Sequence, residues 1–420
     1  MVALIALYSV LSTLYDHIVA PRYAFGSFRI DPRPDRWVEF GVIAILGLSL
    51  PTDPRRMSHI FAWLSAIFLL LPAAVLSAIQ GSDRYAMFLM FGGVWFVMFL
   101  CWIMQKNAVD FSLDTRPRQA KINIAVLLAM LFAVLAFLAF HVGGKMNFSL
   151  SSVYDYREDF NESLRFPLNY LLPFAAGPLS GLIVACALHE KKYYIIAMTV
   201  ISGILFFGLS SHKAMLFYPF FVIMIYISLS HRSGHLYLIG VFLFLTFLTV
   251  IAVGTRWEDL LGSSFANRLV FIPAQIHYYF FREFAEIGPQ YWAESRFGFG
   301  LHASDLPLPS VNYIGFLMTG DAQIGANTGW IANGFMNAGV IGIAFYGVIL
   351  AVTLHVVDIL GGRYGYSFIG AAFIVPIFSF VNSIDLLVGF LTGGLGLLFI
   401  LVFATVRPGR LLVKDAIGAD

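Results

Sequence analysis

The sequence predicts an all-α, polytopic membrane protein folded as a single integral-membrane domain over residues 1–420. Two observations carry this expectation. Hydrophobic residues fill 59% of 420 positions and only 12% are charged, with a mean hydropathy of +0.82; a soluble domain of this length has too little interior to hide so much apolar surface. The apolar residues also fall into runs of about 20, the length of a helix that crosses a bilayer. The 42 Phe and 19 Tyr suit lipid contact and interfacial anchoring. A formal charge of +2, with no long Lys/Arg cluster, argues against a nucleic-acid partner. Cys101 and Cys186 both fall inside expected spans, which argues against a disulfide framework or a cysteine metal site.

Taken in order, the expected spans lie near 1–20, 37–50, 59–79, 85–104, 122–143, 167–188, 193–209, 214–229, 236–254, 331–357, 367–384 and 386–406, about twelve helices in all. Met1 to Val19 lacks a basic start and a small-residue cleavage motif, so it reads as a retained first span. The shortest is 37–50, closed by Pro51. The run 331–357 is long enough to tilt or to include an interfacial part. Setting aside two long loops, basic residues collect on the side of Arg55, Arg56, Lys106, Lys191, Lys192, Arg232 and Arg363. That side is expected to be cytoplasmic, together with both termini.

The connection from Tyr23 to Trp37 reads as an extended external loop whose arginines anchor at the interface. The first long extracytoplasmic loop, 144–166, contains Tyr154-Asp155-Tyr156-Arg157-Glu158-Asp159. A solvated loop has much the same composition. Arg157 stands out because an arginine among aromatics and acids can be held in one orientation and offer a planar fork to phosphate. In the short turn Leu209 to Lys213, Lys213 either snorkels to the interface or reaches toward an anionic headgroup, while His212 reads as a local hydrogen-bonding residue.

The large extracytoplasmic loop, 255–330, carries Arg256, Arg268, Arg282 and Arg296. From Ser263 to Glu286 the pattern fits one or two amphipathic helices kinked at Pro273. At 100° per residue, Arg268, Gln275, Tyr279, Arg282 and Glu286 fall within about 60° of one another and form one polar stripe. Such a helix either lies at the interface or lines a cavity, with arginines near an anion and Tyr278 or Tyr279 near its attached group. His277 points to the opposite face. Beyond Gly288-Pro289, Asn327 or Thr328 is placed to cap the next helix. Inside that helix Asn333 and Asn337 suggest an interhelical hydrogen bond, and Gly334, Ala338 and Gly342 suggest close helix packing. Asp358 needs no special role, and Asp385 reads as a turn acid.

Several features resemble the O-antigen polymerase, or oligosaccharide repeat-unit polymerase, family (Wzy). They are the many-span layout, Tyr154-Asp155-Tyr156-Arg157 before a span, the Ser211-His212-Lys213 turn, Arg268 through Phe284, and the run from Ala326-Asn327-Thr328-Gly329-Trp330 to Gly339. The resemblance covers most of the chain in layout, with loose motifs. It implies a GT-C-like helical fold in the bacterial inner membrane, with the active site on the periplasmic or outer face. The implied reaction joins repeat units carried on undecaprenyl diphosphate and releases that carrier, without a metal or other cofactor. Implied partners are the undecaprenyl-diphosphate-linked oligosaccharide, membrane lipid and a chain-length regulator.

Within that reading Arg157, Arg268, Arg282 and Lys213 bind the diphosphate and stabilise it as it leaves, with Arg296 in reserve. Asp321, Glu158 or Asp155 orients or deprotonates the acceptor hydroxyl. Tyr278 and Tyr279 contact sugar or lipid, and Asn327 lies at a helix start that offers free N–H groups to an anion. A ligase acting on the same carrier needs the same arginines. A flippase for the lipid-linked glycan expects charges distributed through the spans instead, and a purely structural scaffold gives no reason for two cationic loops.

Overall fold

A computed structural model describes residues 1–420 except 24–25, 108–119, 122, 149–155, 158–159, 161–162, 256, 406 and 409–420. The chain runs through α1 (Val2–Arg22), α2 (Trp37–Ser49), α3 (Met57–Gln80), α4 (Arg84–Asn107), α5 (Ile124–His141), α6 (Leu168–His189) and α7 (Tyr193–Ser210). It continues through α8 (Lys213–Ser230), α9 (Gly234–Ala252), α10 (Ile272–Ile287), α11 (Ser310–Thr319), α12 (Trp330–Tyr364), α13 (Tyr366–Asn382), α14 (Leu386–Leu391) and α15 (Leu395–Thr405). Among the described residues ten helices are long and apolar enough to cross a membrane, α14 and α15 together making one of them, and α2 and α13 are shorter apolar helices. The only strand pairing among the described residues is a two-residue bridge, Ala120–Lys121 with Arg407–Pro408. The protein is a multi-pass, helical membrane protein.

Four stretches wind wider than an α-helix, in π geometry: Tyr15–Val19, Ala66–Leu70, Ala175–Leu179 and Asp259–Phe271. Each holds a proline or stops just short of one: Pro178 lies within the third, and Pro21, Pro72 and Pro273 follow the others. A proline lacks the N–H of the i→i−4 bond and its ring crowds that carbonyl. A widened turn lets the carbonyl step aside without breaking the helix.

Two helices form the centre. α3 is buried along its whole length, and α13 is buried on all sides from Phe368 to Ile377. A helix apolar all round belongs in an interior. Small residues at Ala62, Ser65, Ala66, Ala73, Ala74, Ser77 and Ala78 let neighbours approach α3 closely.

The face that carries the two long loops, here the loop face, is braced by the first connection. Arg33 donates to the carbonyls of Ser77, Gly81 and Ser82 at 3.1, 3.0 and 2.9 Å, closing the carbonyl end of α3. Arg84 donates to Glu39 at 2.9 Å and also pairs with Asp35, and the fully buried Glu39 carboxylate accepts from Ser77 at 2.8 Å. Arg33, expected only to anchor at the interface, thus also closes a helix end, and Arg84 partners a buried acid. On the opposite face Asp358 accepts the Met57 N–H at 2.7 Å and bonds the Ser58 hydroxyl. It is a buried cap on α3 supplied from α12, so it has a role after all.

α12 is two helices across a turn at Ala338 (φ −151°) and Gly339 (φ 59°). A Cβ on Gly334 would meet the Gly342 carbonyl at 2.8 Å, and the Trp330 ring lies against Gly347. Residues eight and seventeen apart cannot touch along a straight helix at 1.5 Å per residue, so 330–337 folds back along 340–347. The small residues therefore pack within one segment. Asn333 donates to the Thr328 and Gly329 carbonyls, and Asn337 to the Asn333 carbonyl. Asn333 bonds locally while Asn337 Oδ1 also accepts the Trp292 N–H from another segment, and the N-cap is Gly329 without a side-chain bond, in place of Asn327 or Thr328.

Candidate functional site

The loop face holds a cleft between α6 and α8. Its larger part encloses about 400 Å³, lined by Leu164, Asn169, Leu172, Pro173, His212, Ala214, Met215 and Tyr218. A second, smaller part of about 190 Å³ shares Pro173 and Tyr218 and continues past Gly177, Pro178, Ser379, Ser383 and Gly393. Two features of the sequence open it. Pro173 and the π stretch that follows it, with Gly177 and Pro178, remove side-chain bulk and regular winding from α6, and the break between α14 and α15 presents glycines on the facing wall. A mainly apolar cleft with a few placed polar groups is the ordinary form of a small-molecule site.

The polar groups concentrate at the mouth. Ser211 takes a left-handed conformation (φ 55°) at the end of α7, and His212 is the N-cap position of α8. This tight turn drives the His212 ring inward, where Phe160 meets it edge-on at 6.3 Å. Burial and the neighbouring positive charge of Arg157 pull the His212 pKa down to about 4. His212 is therefore neutral at pH 7, and Arg157, half-buried, is near enough for its charge to act on the ring. Lys213 begins α8 and is half-buried at the same turn. Tyr218, in the wall shared by both parts of the cleft, was not singled out from the sequence.

The lowered pKa has a testable consequence. In the unfolded chain His212 takes up a proton near pH 6.5, whereas in the fold it stays neutral down to about pH 4. Stability is full above pH 6.5 and falls as pH drops toward 4, because the unfolded state then binds more protons. Replacing His212 with Gln is expected to flatten the pH 4–6.5 limb of the stability profile by roughly 1–3 kcal/mol, read by thermal unfolding in detergent. An unchanged limb excludes His212 as its source.

The remaining sequence candidates are distributed differently. Arg282 is exposed, bonded to Glu283 at 2.8 Å and stacked 4.4 Å over Tyr279. Arg268 is exposed on the π-helical stretch. The wider winding there breaks the uniform 100° advance, so Arg268 and Gln275 do not continue one stripe. Gln275 is buried against Gln80 at 2.8 Å. Tyr278 is buried with its hydroxyl donating to the Ala73 carbonyl at 2.8 Å, which makes it a core residue and corrects its assignment to sugar contact. His277 is buried, with Nδ1 2.7 Å from the Pro273 carbonyl and 3.3 Å from the Thr328 hydroxyl. Asp321 is exposed and accepts the Gln323 N–H at 2.9 Å. Arg296 and Asn327 are exposed, and Glu158, Asp155 and Tyr154 lie outside the described residues.

Asp385, at the turn beside the smaller part of the cleft, caps α14 through the Leu387 and Val388 N–H groups at 2.9 and 3.0 Å and accepts from the Tyr346 hydroxyl at 2.7 Å. Burial raises its pKa. Among the described residues no group of three or more His, Cys, Asp or Glu is placed to hold a metal ion. Comparison with protein-family models, curated proteins and solved structures finds no match to this chain.

Proposed function

We propose that the protein is a GT-C-like integral-membrane glycosyltransferase of the bacterial inner membrane, with its loop face periplasmic or outer, that polymerises oligosaccharide repeat units carried on undecaprenyl diphosphate. What supports this reading is an apolar cleft with His212 in its lining, the Arg157 charge close enough to act on that ring, and Lys213 next to it in the chain. The isoprene units next to the diphosphate would lie against the apolar cleft while the rest of the tail stays in the bilayer, and the diphosphate would sit near Arg157 and Lys213. The acceptor hydroxyl attacks the anomeric carbon of the growing glycan, the bond from that carbon to the diphosphate oxygen breaks, and the diphosphate leaves with the electron pair. The hydroxyl proton passes to an acid of the loops, with Asp321 and Glu158 proposed. Arg157 and Lys213 offset the charge that develops on the leaving group, most effectively where water is excluded. The exposed Arg268, Arg282, Arg296 and Asn327, with the half-buried Tyr279, remain candidates for contacting the acceptor unit, whose diphosphate stays attached.

The test is incubation of purified protein with a defined lipid-linked repeat unit. A ladder of lengthening glycans with release of the lipid diphosphate is expected. Transfer of glycan only to a different acceptor moves the assignment to a ligase, and movement of intact lipid-linked glycan across vesicles without bond exchange moves it to a flippase.

A further inference from the structure

The segment after α10 carries an apolar turn outside the cleft, and its base is fixed at several points. Gln290 and Tyr291 donate their N–H groups to the Met336 and Asn337 carbonyls at 2.9 and 3.0 Å. The Trp292 N–H donates to Asn337 Oδ1 at 2.9 Å, and its indole N–H to the Tyr346 hydroxyl at 2.9 Å. Glu294 accepts the N–H and hydroxyl of Ser310 at 2.7 and 2.6 Å. Above this base the turn is itself closed. Ser295 Oγ accepts from the Phe297 N–H, and Phe299 and Leu301 donate to the Arg296 and Gly298 carbonyls at 3.2 and 2.9 Å. Despite this order, Phe299 is 83% and Leu301 87% exposed, with Arg296 exposed beside them.

The anchor ties the base of the turn to α12. Tyr346 lies seven residues past Gly339, roughly 10 Å along α12 from its loop-face end, and the Trp292 indole reaches toward it from a backbone held at Asn337. The Trp292 ring meets Phe345 edge-on at 5.9 Å. Phe345, 48% exposed, belongs to an apolar stripe with Ile341, Val348 and Val352 on the outside of α12, a surface that in a membrane-spanning helix meets lipid. The base of the turn thus packs against the lipid-facing side of α12 at Phe345.

We infer that residues 297–301 form a wedge inserted into the leaflet on the loop face. Phe299 and Leu301 sit among acyl chains, and Arg296 lies at the level of the headgroup phosphates. Phe and Leu side chains enter hydrocarbon favourably, and an arginine extends its charge to the polar boundary. The inference needs only the multi-pass architecture and stands apart from the proposed reaction.

The experiment places nitroxide labels at Phe299→Cys, Leu301→Cys and Asp305→Cys in protein reconstituted into phosphatidylethanolamine–phosphatidylglycerol vesicles. The native Cys101 and Cys186 are buried, and the unsubstituted protein serves as the blank. At 299 and 301, collision with oxygen is expected to exceed collision with a water-soluble nickel chelate several-fold, with the opposite ratio at the exposed 305. Labels at 299 and 301 as open to the chelate as 305 overturn the inference, as do labels shielded from both reagents, which report a protein partner. A lipid-borne carbene probe puts the same question to the unsubstituted protein: adducts on 297–301 support the wedge, and their absence there alongside labelled α12 overturns it.

Discussion

Replacing Arg157 with alanine is expected to reduce polymer formation by roughly 10²- to 10³-fold, the scale of removing one preorganised group from a developing anion. Arg157 is half-buried, and its charge is felt by His212 inside the cleft. In that partly dehydrated setting its loss is not made good by water. Lysine at 157 keeps the charge but loses the planar fork, so an intermediate activity is expected. The measurement is glycan ladder length per unit of membrane protein, with single-unit lipid-linked glycan accumulating in the alanine variant. Near-normal ladders at normal abundance would remove Arg157 from the mechanism. Arg282→Ala is expected to act more weakly on the rate, because its guanidinium is already shared between Glu283 and Tyr279.

Replacing Arg84 with alanine is expected to cost about 3–5 kcal/mol of stability, the usual consequence of leaving a buried charge without its partner. Glu39 is fully buried and receives two donors from Arg84 and one from Ser77. Without the guanidinium its carboxylate keeps only the Ser77 hydroxyl. A second substitution, Glu39→Gln, removes the stranded charge and is expected to restore much of the loss. Apparent unfolding midpoints of the single and double variants in one detergent check both statements. If the double variant is no more stable than Arg84→Ala alone, the stranded Glu39 charge is not the cause.

Local signals were strong where the chain crosses lipid. Each expected span overlaps apolar helix, though among the described residues ten helices are long and apolar enough to cross and 331–357 turns back at Ala338–Gly339; continuous apolar runs leave a backbone in lipid no partner but itself. The prolines that mark the π stretches were also on the page: Pro21, Pro72, Pro178 and Pro273 can be read directly. The polar stripe from Arg268 to Glu286 failed because it assumed one helical period through a segment that changes winding at Pro273.

Other assignments depended on partners far away in sequence. Asp358 looks like any acid at a helix end until Met57 and Ser58, some 300 residues away, bring their donors to it. Tyr278 looks available beside Tyr279, yet its hydroxyl is taken by Ala73 and its ring by the core. His212 looks like an ordinary turn residue until Phe160 meets its ring and the Arg157 charge acts on it. Tyr218 has no local mark at all, and it lines the cleft only because α6, α8 and α13 converge there.

The sequence by itself determined that this chain is helical and crosses a membrane many times, since hydropathy and helix length are properties of contiguous residues. Only the tertiary structure decided which polar groups are spent on holding the bundle and which remain at a cleft. The physical reason is that a charge or hydroxyl in a low-dielectric interior is defined by what reaches it. For Glu39, Asp358, Tyr278 and His212, those neighbours come from segments of the chain that sequence proximity does not connect.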